Sequence, residues 1–380
     1  MKKVAIIDTL GEHEGSFHFY TFGQCIGLIN NNIDVSLYTN NKTKNPNIKK
    51  LKFYNYYNNL FSSRFKLVSG FRWIIGSLKS IIHARISSIS FFHFHIFYIN
   101  ILVIFNILLV KILFGKVVVT IHDVHSFSNQ VRVSFAKKVF YALTDLILTH
   151  NKFSKNEITK IISGPLNIHI VPHGNYLPFI NIEKDKSKSK KKLKLPENKR
   201  IILFFGLIKE VKGLEVLLKS LREVVNKHKD IRLLIAGKSW KNNFSRYQKI
   251  IDDEKLNDYC ILHTKFIPQS LVKYYYAASD LVVLPYKRIY QSGVLMMTLS
   301  YNKPVLVSDL PPLTEVINDK FNGYVFKSED SENLTLKLNE IFFESEKLLD
   351  ISNQGFKEVK EKFDWNSIGY LTDKAYGSIY

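Results

Sequence analysis

The chain has 380 residues and an apolar content of 46%, which suits two globular domains of ordinary size and argues against intrinsic disorder. Its two cysteines, Cys25 and Cys260, are too few for a disulfide scaffold or a cysteine metal site and fit a reducing compartment. The formal net charge of +21 favours an acidic partner, such as nucleic acid, anionic lipid or a phosphorylated ligand.

The basic charge is unevenly distributed in the first half of the chain. Between Asp34 and Asp123 there is no Asp or Glu, whereas Lys and Arg recur throughout the same stretch. A general bias towards lysine is one explanation of the total charge. The complete absence of carboxylates over this stretch favours a genuine anionic partner instead.

The first half of the sequence alternates apolar strands with helices. The apolar run after Lys3 ends at Asp8, too early for the core of a signal peptide, and is predicted to be a first buried strand. A glycine-containing loop at 11–15 and a helix at 16–31 follow it. Further strands are predicted at 34–38, 90–95, 116–121, 146–149 and 168–171. This alternation predicts a parallel sheet with helices on both faces.

Two segments of the first half bear on membrane contact. Residues 64–85 are basic and amphipathic, with Trp and Phe among aliphatic side chains, which is typical of a helix at a membrane interface. The side chains expected to face an anionic leaflet are Arg64, Lys66, Arg72, Trp73 and Lys79. The alternative is a helix whose apolar face covers its own sheet. Residues 96–110 are uncharged but shorter than the roughly 20 residues that span a membrane, so we predict a buried helix there.

The pattern of strands and helices is interrupted at 181–199 and then restarts. The interruption is rich in lysine and serine, and we predict a solvated linker there rather than a nuclear-localisation signal. The later strands are predicted at 200–205, 231–236, 259–264, 281–284 and 304–307. The expected domains are 1–180 and 200–362, followed by a helix at 363–380 that packs back towards the first domain. Open α/β sheets bind ligands at the carboxyl ends of their strands, so two such domains predict a site in the cleft between them.

Two loops of the second half have the composition of phosphate-binding sites. In the first, a strand ends at Gly206, the loop carries Lys209 and Lys212, and Gly213 opens a helix. Glycine lets the backbone approach a phosphate closely, and lysines beside a helix N-terminus neutralise its charge. An ordinary exposed loop with lysines would have the same composition, and the Gly-Lys-Ser/Thr of a Walker A loop is missing.

In the second loop, a strand ends in Pro285-Tyr286 and a helix of small and apolar residues begins at Ser292-Gly293. The backbone amides of Ser292, Gly293 and Val294 are well placed to hold a diphosphate. Ser-Gly by itself is also typical of a helix cap.

Together these loops resemble the C-terminal lobe of GT-B glycosyltransferases of family 4. The matching positions are Gly206, Lys209, Lys212, Gly213, Asp280, Pro285, Tyr286, Ser292, Gly293, Pro304, Val305, Gly323 and Phe326. The first half also has segments that resemble that family's N-terminal lobe. Two of them resemble strands of the lobe, Phe92–His95 and Val118–Asp123, and one resembles the segment that ends it, Val171–Asn175. The order and spacing of these pieces make the resemblance specific, and it covers nearly the whole chain.

The resemblance implies an α/β fold with two Rossmann-like, doubly wound domains facing each other across a cleft. It implies transfer of a sugar from a nucleoside-diphosphate sugar to a lipid-linked or polysaccharide acceptor, for a bacterial-type surface glycan such as capsule, exopolysaccharide or O-antigen. The expected location is cytoplasmic, peripheral on the inner face of the plasma membrane. No metal, no cofactor beyond the nucleotide-sugar co-substrate and no nucleic acid is expected. The sequence has no Asp-x-Asp motif, clustered His/Cys ligand set or nucleic-acid-binding module.

The resemblance also gives roles to individual residues. His122 is the expected catalytic residue, near the reacting centre, although by itself it would be interpreted as a satisfied core histidine. The expected donor-binding residues are Gly206, Lys209, Lys212, Tyr286, Ser292, Gly293 and Val294. The expected acceptor-side residues are Gly15, Ser16, His18 and His173.

One departure from the family pattern leaves other functions open. Many members have two glutamates that contact the donor sugar and its ribose, and the matching positions here are Ile289 and Met297. A non-catalytic partner subunit with the same fold is therefore one alternative. Another is an isomerase of UDP-N-acetylhexosamines, although Val294 stands where those enzymes continue Ser-Gly with a second glycine. The sugar, the nucleotide and the retaining or inverting outcome stay open.

Overall fold

The computed structural model describes residues 2–13, 17–124, 135–162 and 165–379. The chain divides into two compact units: the first contains 1–174 and 363–380, and the second contains 175–362. Each unit is a parallel β-sheet flanked by helices, as the alternating pattern predicts. No helix in the described ranges combines the length and the apolar character needed to cross a lipid bilayer.

The sheet of the first unit has seven parallel strands in the described part of the chain. They are β1 (Lys3–Asp8), β2 (Asp34–Asn40), β3 (Lys52–Tyr57), β4 (Phe91–Ile96), β5 (Lys116–Ile121), β6 (Leu146–Thr149) and β7 (Ile168–Ile170). Their order is β3-β2-β1-β4-β5-β6-β7. Successive strands are added on one side of β1 up to β3 and on its other side from β4 onwards, so the strand order reverses between β1 and β4. Open α/β sheets bind ligands at such a point. Strand β3, an edge strand that is only partly buried, was not predicted from the sequence.

The last helix of the chain packs into the first unit. In the described ranges its helices are α1 (Phe17–Asn30), α2 (Lys66–Ile86), α3 (Ile101–Ile112), α4 (Phe135–Leu143), α5 (Lys152–Ile161) and α14 (Trp365–Tyr376). A Cβ on Gly27 of α1 would lie 2.0 Å from the carbonyl oxygen of Trp365, and one on Gly369 would lie 2.1 Å from the Gly27 carbonyl oxygen. Glycines therefore let α1 and α14 pack backbone to backbone, which holds 363–380 in the first unit.

Helix α3 differs from the prediction. Ile104 and Ile107 are buried, but Ile101 and Ile112 on the same helix are 76% and 69% exposed. The expectation of a buried helix at 96–110 is thus wrong for one of its faces. A helix on the outside of a sheet buries only the side that faces the sheet, and here the outer side is apolar as well.

The second unit repeats the architecture. In the described part of the chain its six parallel strands are β8 (Arg200–Phe205), β9 (Ile231–Ala236), β10 (Cys260–His263), β11 (Leu281–Leu284), β12 (Val305–Ser308) and β13 (Tyr324–Phe326). Their order is β10-β9-β8-β11-β12-β13. The helices are α6 (Lys186–Lys192), α7 (Leu214–Lys227), α8 (Ser245–Asp253), α9 (Gln269–Ala278), α10 (Gly293–Ser300), α11 (Pro311–Thr314), α12 (Ser331–Phe343) and α13 (Leu348–Lys362). The short edge strand β13 was not predicted.

The lysine-rich stretch 181–199 is largely exposed to solvent, as its composition predicts, but it contains a helix rather than a plain linker. Asp185 caps helix α6, which packs against α9, and the Lys190 Nζ donates to two backbone carbonyl oxygens at 2.8 and 2.6 Å. Those local acceptors allow a lysine to be buried within a run of like charges. The two units divide after Gly174, so this stretch belongs to the second unit.

Candidate functional site

The first candidate site lies at the carboxyl ends of β8 and β9 in the second unit. Gly206 and Gly237 follow these strands with φ of +106° and +146°, which side chains other than glycine rarely adopt. A Cβ on Gly237 would lie 1.9 Å from the Gly206 carbonyl oxygen, so the two strand ends pass each other closely. A Cβ on Gly206 would meet Val294 Cγ2 at 3.4 Å. The fold therefore brings together two predicted donor-binding residues, Gly206 and Val294, that are distant in sequence.

The loop after β8 is held against the end of β11. A 3-10 turn at Glu210–Lys212 leads into α7 through Gly213, whose φ is +64°. A Cβ on Gly213 would lie 1.8 Å from the Pro285 carbonyl oxygen, so the approach requires glycine. This packing places the Lys212 Nζ 3.7 Å from the centre of the Tyr286 ring. A cation–π contact leaves the charge of the lysine in place, as phosphate binding would need.

Two neighbouring basic residues have different surroundings. The Lys209 Nζ lies 4.3 Å from the centre of the Trp240 ring, a second cation–π contact. Lys287 instead forms an ion pair of 2.8 Å with Glu215, and that hydrogen bond raises the pKa of the lysine. The carboxylate of Glu215 is thus directed at Lys287, which limits its repulsion of an anion near the other two lysines.

Ser292 acts as the N-cap of helix α10. Its hydroxyl oxygen accepts a hydrogen bond from the Leu295 backbone amide at 3.1 Å, which is the capping role that the sequence left open. The amides of Gly293 and Val294 follow in the first turn, where backbone N–H groups have no acceptor within the helix. Such amides bind anions at helix N-termini, so backbone atoms rather than the serine hydroxyl are the candidates for diphosphate contact here.

The positions of the missing glutamates are apolar and enclosed. Ile289 and Met297 are both buried. Their side chains pack into the unit and offer neither charge nor hydrogen bonds to a ligand. Any recognition of a donor sugar in this protein must therefore come from other groups.

The second candidate site is a row of histidines in the first unit. His95 lies near the end of β4, while His122 and His150 directly follow β5 and β6. The His95 Nδ1 is 3.2 Å from the His122 Nε2, and the His122 Nδ1 is 3.1 Å from the His150 Nε2. The His150 Nδ1 is 3.0 Å from the Val171 carbonyl oxygen, just beyond β7. We refer to His95, His122 and His150 as the histidine row.

Of these three histidines, only His122 was predicted from the sequence as a site residue; His95 and His150 were not. The signal was available, because all three occupy the carboxyl ends of predicted parallel strands, where an α/β sheet collects its functional side chains. Parallel register then places strand ends side by side, so the three rings meet although the strands are far apart in sequence.

The histidine row is buried among aromatic rings. The rings of Phe97 and Tyr20 lie 4.6 and 5.1 Å from the His122 ring. Burial lowers the pKa of His150 to about 4 and holds the pKa values of His95 and His122 well below the ordinary value, with neighbouring histidines adding to the effect. At neutral pH the row is therefore uncharged and acts through hydrogen bonds rather than positive charge.

The predicted acceptor-side residues are placed differently from one another. His173 is buried beside the row, with its ring centre 5.7 Å from that of His150. His18 is buried on helix α1, where it packs among aromatic neighbours of the same helix. Gly15 and Ser16 lie outside the described residues. The structure thus brings His173 up to the histidine row.

The predicted membrane-facing residues are only partly available to solvent. Arg64, Lys66 and Lys79 are exposed on or just before α2. Arg72 and Trp73 are half-buried: Arg72 donates two hydrogen bonds of 2.8 Å to the preceding loop, and Trp73 packs near a tyrosine of β3. These two residues therefore serve the unit's own packing at least in part.

Three exposed apolar residues at the start of this helix were not singled out from the sequence. Phe65, Leu67 and Phe71 are 74%, 89% and 65% exposed at the start of α2. They alternate with the basic side chains Arg64 and Lys66, so one short segment presents both apolar and cationic groups. The segment was expected to face a membrane, but the individual apolar contacts were not named.

Comparison with known proteins identifies the second unit. Residues 185–358 match the family model described as glycosyl transferases group 1. The second unit is a group 1 glycosyltransferase domain. The matched residues include both phosphate-type loops, from Gly206 to Val294, and the positions Ile289 and Met297 where this glycosyltransferase domain lacks carboxylates.

The fold of the whole chain matches GT-B glycosyltransferase structures. Sucrose-phosphate synthase from Thermosynechococcus elongatus superimposes with a TM-score of 0.78 at 15% identity, covering 100% of this chain and 99% of that one. HepE of Anabaena, solved in complex with UDP and glucose, gives a TM-score of 0.77 at 14% identity and covers 100% of both chains.

Relatives by sequence include an uncharacterized glycosyltransferase of Methanocaldococcus jannaschii, 22% identical over 60% of this chain and 59% of that protein. Spore coat protein SA of Bacillus subtilis is 24% identical over 45% of this chain and 46% of that protein. The matches thus span about half the length of these two relatives, and they lie at low identity.

Proposed function

We propose that the protein is a glycosyltransferase that moves a sugar from a nucleoside-diphosphate sugar to a lipid-linked or polysaccharide acceptor. The product would be a cell-surface glycan such as capsule, exopolysaccharide or O-antigen. The observation that carries the proposal is the convergence of Gly206, Lys212, Tyr286 and Val294 at the carboxyl edge of the second sheet. The UDP complex of HepE, which has the same fold, supports a nucleotide in such a site.

The donor half of this site suits a leaving diphosphate. Cleavage of the donor at its anomeric carbon places negative charge on the diphosphate, and preorganised cations and amides stabilise that charge. Lys209 and Lys212 supply positive charge, and the first turn of α10 supplies backbone N–H groups. Because these groups meet the charge, we propose that the reaction needs no metal; activity that persists in excess EDTA would agree, and strict Mg²⁺ dependence would contradict it.

In this proposal, residues of the first unit contact the acceptor and the transferred sugar. His122 is neutral and buried, and its two ring nitrogens are hydrogen-bonded to His95 and His150, so in this proposal it acts on the sugar as part of an uncharged row of hydrogen bonds. Neither Ile289 nor Met297 can replace the glutamates that many family members direct at the donor. The proposal therefore depends more on histidines than the family pattern does.

The donor site is tested by the thermal stabilisation that nucleotides produce. UDP, GDP, CMP and their sugar conjugates would be screened with the natural protein, Lys212→Ala and Lys219→Ala. Lys219 is exposed on α7, the helix that follows the same loop, and serves as the matched control. We expect one nucleotide to raise the melting temperature, the shift to be lost in K212A and to survive in K219A.

Absence of a shift with every nucleotide would contradict the donor site. It would favour the second candidate function, a non-catalytic partner subunit, which the two buried apolar residues at the glutamate positions support independently. Donor hydrolysis or transfer by the purified protein would in turn contradict that alternative.

We further propose that the protein is cytoplasmic and binds the inner face of the plasma membrane through α2 and α3. Phe65, Leu67 and Phe71 are exposed beside Arg64 and Lys66. Helix α3 packs against α2 and adds its own exposed isoleucines. Apolar side chains that enter the interface contribute about 1.5–3 kcal/mol each, and each basic residue near anionic lipid adds about 1 kcal/mol.

Vesicle sedimentation tests this surface. The natural protein should bind vesicles that contain phosphatidylglycerol, and bind neutral phosphatidylcholine vesicles more weakly. Replacing Phe65, Leu67 and Phe71 together by serine should weaken binding at least tenfold. Phe343→Ser, which removes an exposed phenylalanine from the second unit, should leave binding unchanged. Equal binding by the triple variant would place the membrane contact elsewhere.

A further inference from the structure

The hydrogen bonds of the histidine row have a defined direction. The row ends at the Val171 carbonyl oxygen, 3.0 Å from the His150 Nδ1. A carbonyl oxygen only accepts hydrogen bonds, so the His150 Nδ1 must carry a proton. In a neutral ring the other nitrogen is then an acceptor, and the His150 Nε2 has a lone pair directed at His122.

The same reasoning applies to the rings of His122 and His95. The His150 Nε2 accepts, so the His122 Nδ1, 3.1 Å away, must donate. The His122 Nε2 is then an acceptor, and it takes the proton of the His95 Nδ1 at 3.2 Å. One backbone carbonyl, that of Val171, thereby determines which nitrogen is protonated in all three histidines.

The row ends in an acceptor that is not used. With its proton on Nδ1, His95 has a lone pair on Nε2, and this buried atom has no hydrogen-bond partner in the described structure. The rings of Phe17 and Tyr20 face His95 edge to face at 5.4 Å each. A buried acceptor without a donor costs free energy, and a ligand that brings a donor to this atom would remove that cost.

We propose that His150 is a positioning residue that, together with the Val171 carbonyl, holds His122 in the Nδ1–H tautomer. The His122 Nε2 is then occupied by the His95 Nδ1–H, and the lone pair left without a donor is that of the buried His95 Nε2. A lone pair of this kind accepts from a hydroxyl donor and repels phosphate oxygens, so the ligand group that suits the end of the row is a hydroxyl group of a sugar or glycan. That ligand class rests on the proposed function, whereas the tautomers do not.

The tautomers can be read directly in the ligand-free protein. Selective ¹⁵N-histidine labelling with long-range ¹H–¹⁵N correlation distinguishes Nδ1–H, Nε2–H and doubly protonated rings. We expect His95, His122 and His150 all to be neutral Nδ1–H forms at pH 7.5. An Nε2–H or cationic His122 in the natural protein would overturn the proposal, whatever the nucleotide screen gives.

Variants of His150 test its positioning role. His150→Phe keeps a ring but removes the acceptor, so His122 should lose its fixed Nδ1–H form. His150→Gln can place an amide oxygen near the position of Nε2 and should preserve that form. The control His169→Gln changes a histidine of the same unit that bonds to Asn167 and lies outside the row. An unaltered His122 in H150F would also overturn the proposal; if H150F does not fold, the natural protein and H150Q still decide.

Discussion

The buried histidines predict that the first unit loses stability in mild acid. Burial lowers the pKa of His93 and of His173 to about 3 and that of His150 to about 4, from an ordinary value of 6.5. The folded state resists protonation and the unfolded state does not. Their contribution to stability is therefore complete above about pH 6.5 and is lost as the pH falls below that value.

The size of the effect follows from proton linkage. At pH 5.5 each of these histidines costs about 1.4 kcal/mol of folding free energy, and three give about 4 kcal/mol. His95 and His122 act in the same direction. The total stability of a domain is about 5–15 kcal/mol, so this is a large fraction of it.

Tryptophan fluorescence can follow this loss in the first unit. The chain has three tryptophans, and Trp365 is buried in the first unit against the glycines of α1. Replacing Trp73 and Trp240 by phenylalanine leaves Trp365 as the reporter. Urea unfolding at pH 7.5, 6.5 and 5.5 should give a free energy that falls by at least about 4 kcal/mol across the series, because His95 and His122 add to the three histidines counted above. Adding His93→Gln should reduce that fall by about 1.4 kcal/mol. A free energy that stays within about 1 kcal/mol would refute the assigned burial of neutral histidines.

Two further predictions concern the second unit and can be checked by chemical unfolding. Gly213→Ala should destabilise it by more than about 1 kcal/mol, because φ is +64° and the new Cβ would lie 1.8 Å from the Pro285 carbonyl oxygen. The comparison variant is Gly70→Ala on α2 of the first unit, where a Cβ meets nothing within 4 Å; it should cause no loss of stability in its own unit, and equal effects of the two changes would contradict the close approach. Ser292→Ala should cost about 1 kcal/mol through loss of the helix cap, and an unchanged midpoint would show that the bond to the Leu295 amide contributes nothing.

Local sequence patterns were sufficient for much of the fold. The aliphatic runs at β5, β6, β8 and β11 are continuous because strands of a parallel sheet are buried on both faces. Turn chemistry was equally informative: Gly206 and Gly213 adopt the positive φ values for which glycine is suited. The resemblance to a family predicted that the two candidate phosphate-binding loops act together, and the structure brings Gly206 and Val294 into contact range.

Composition gave wrong expectations for two helices whose burial depends on what packs against them. The lysine run at 186–192 has the charge of a solvated segment, yet it forms helix α6, because α9 and backbone carbonyl oxygens are there to pack with it. Conversely, the apolar run of α3 has the composition of a buried helix, but only one of its faces meets the rest of the unit. A sequence indicates whether a side chain prefers water or the protein interior, but it does not indicate which groups will pack against that side chain in the fold.

The sequence by itself determined the alternation of strands and helices, the glycine turns and the position of His122 at a strand end. Only the tertiary structure decided that His95 and His150 join it and that the Val171 carbonyl fixes their protons. The reason is that parallel register, a property of the assembled sheet, sets which strand ends are neighbours. Hydrogen-bond direction and the lowered pKa values of the histidines then follow from that proximity and from burial, neither of which any single segment contains.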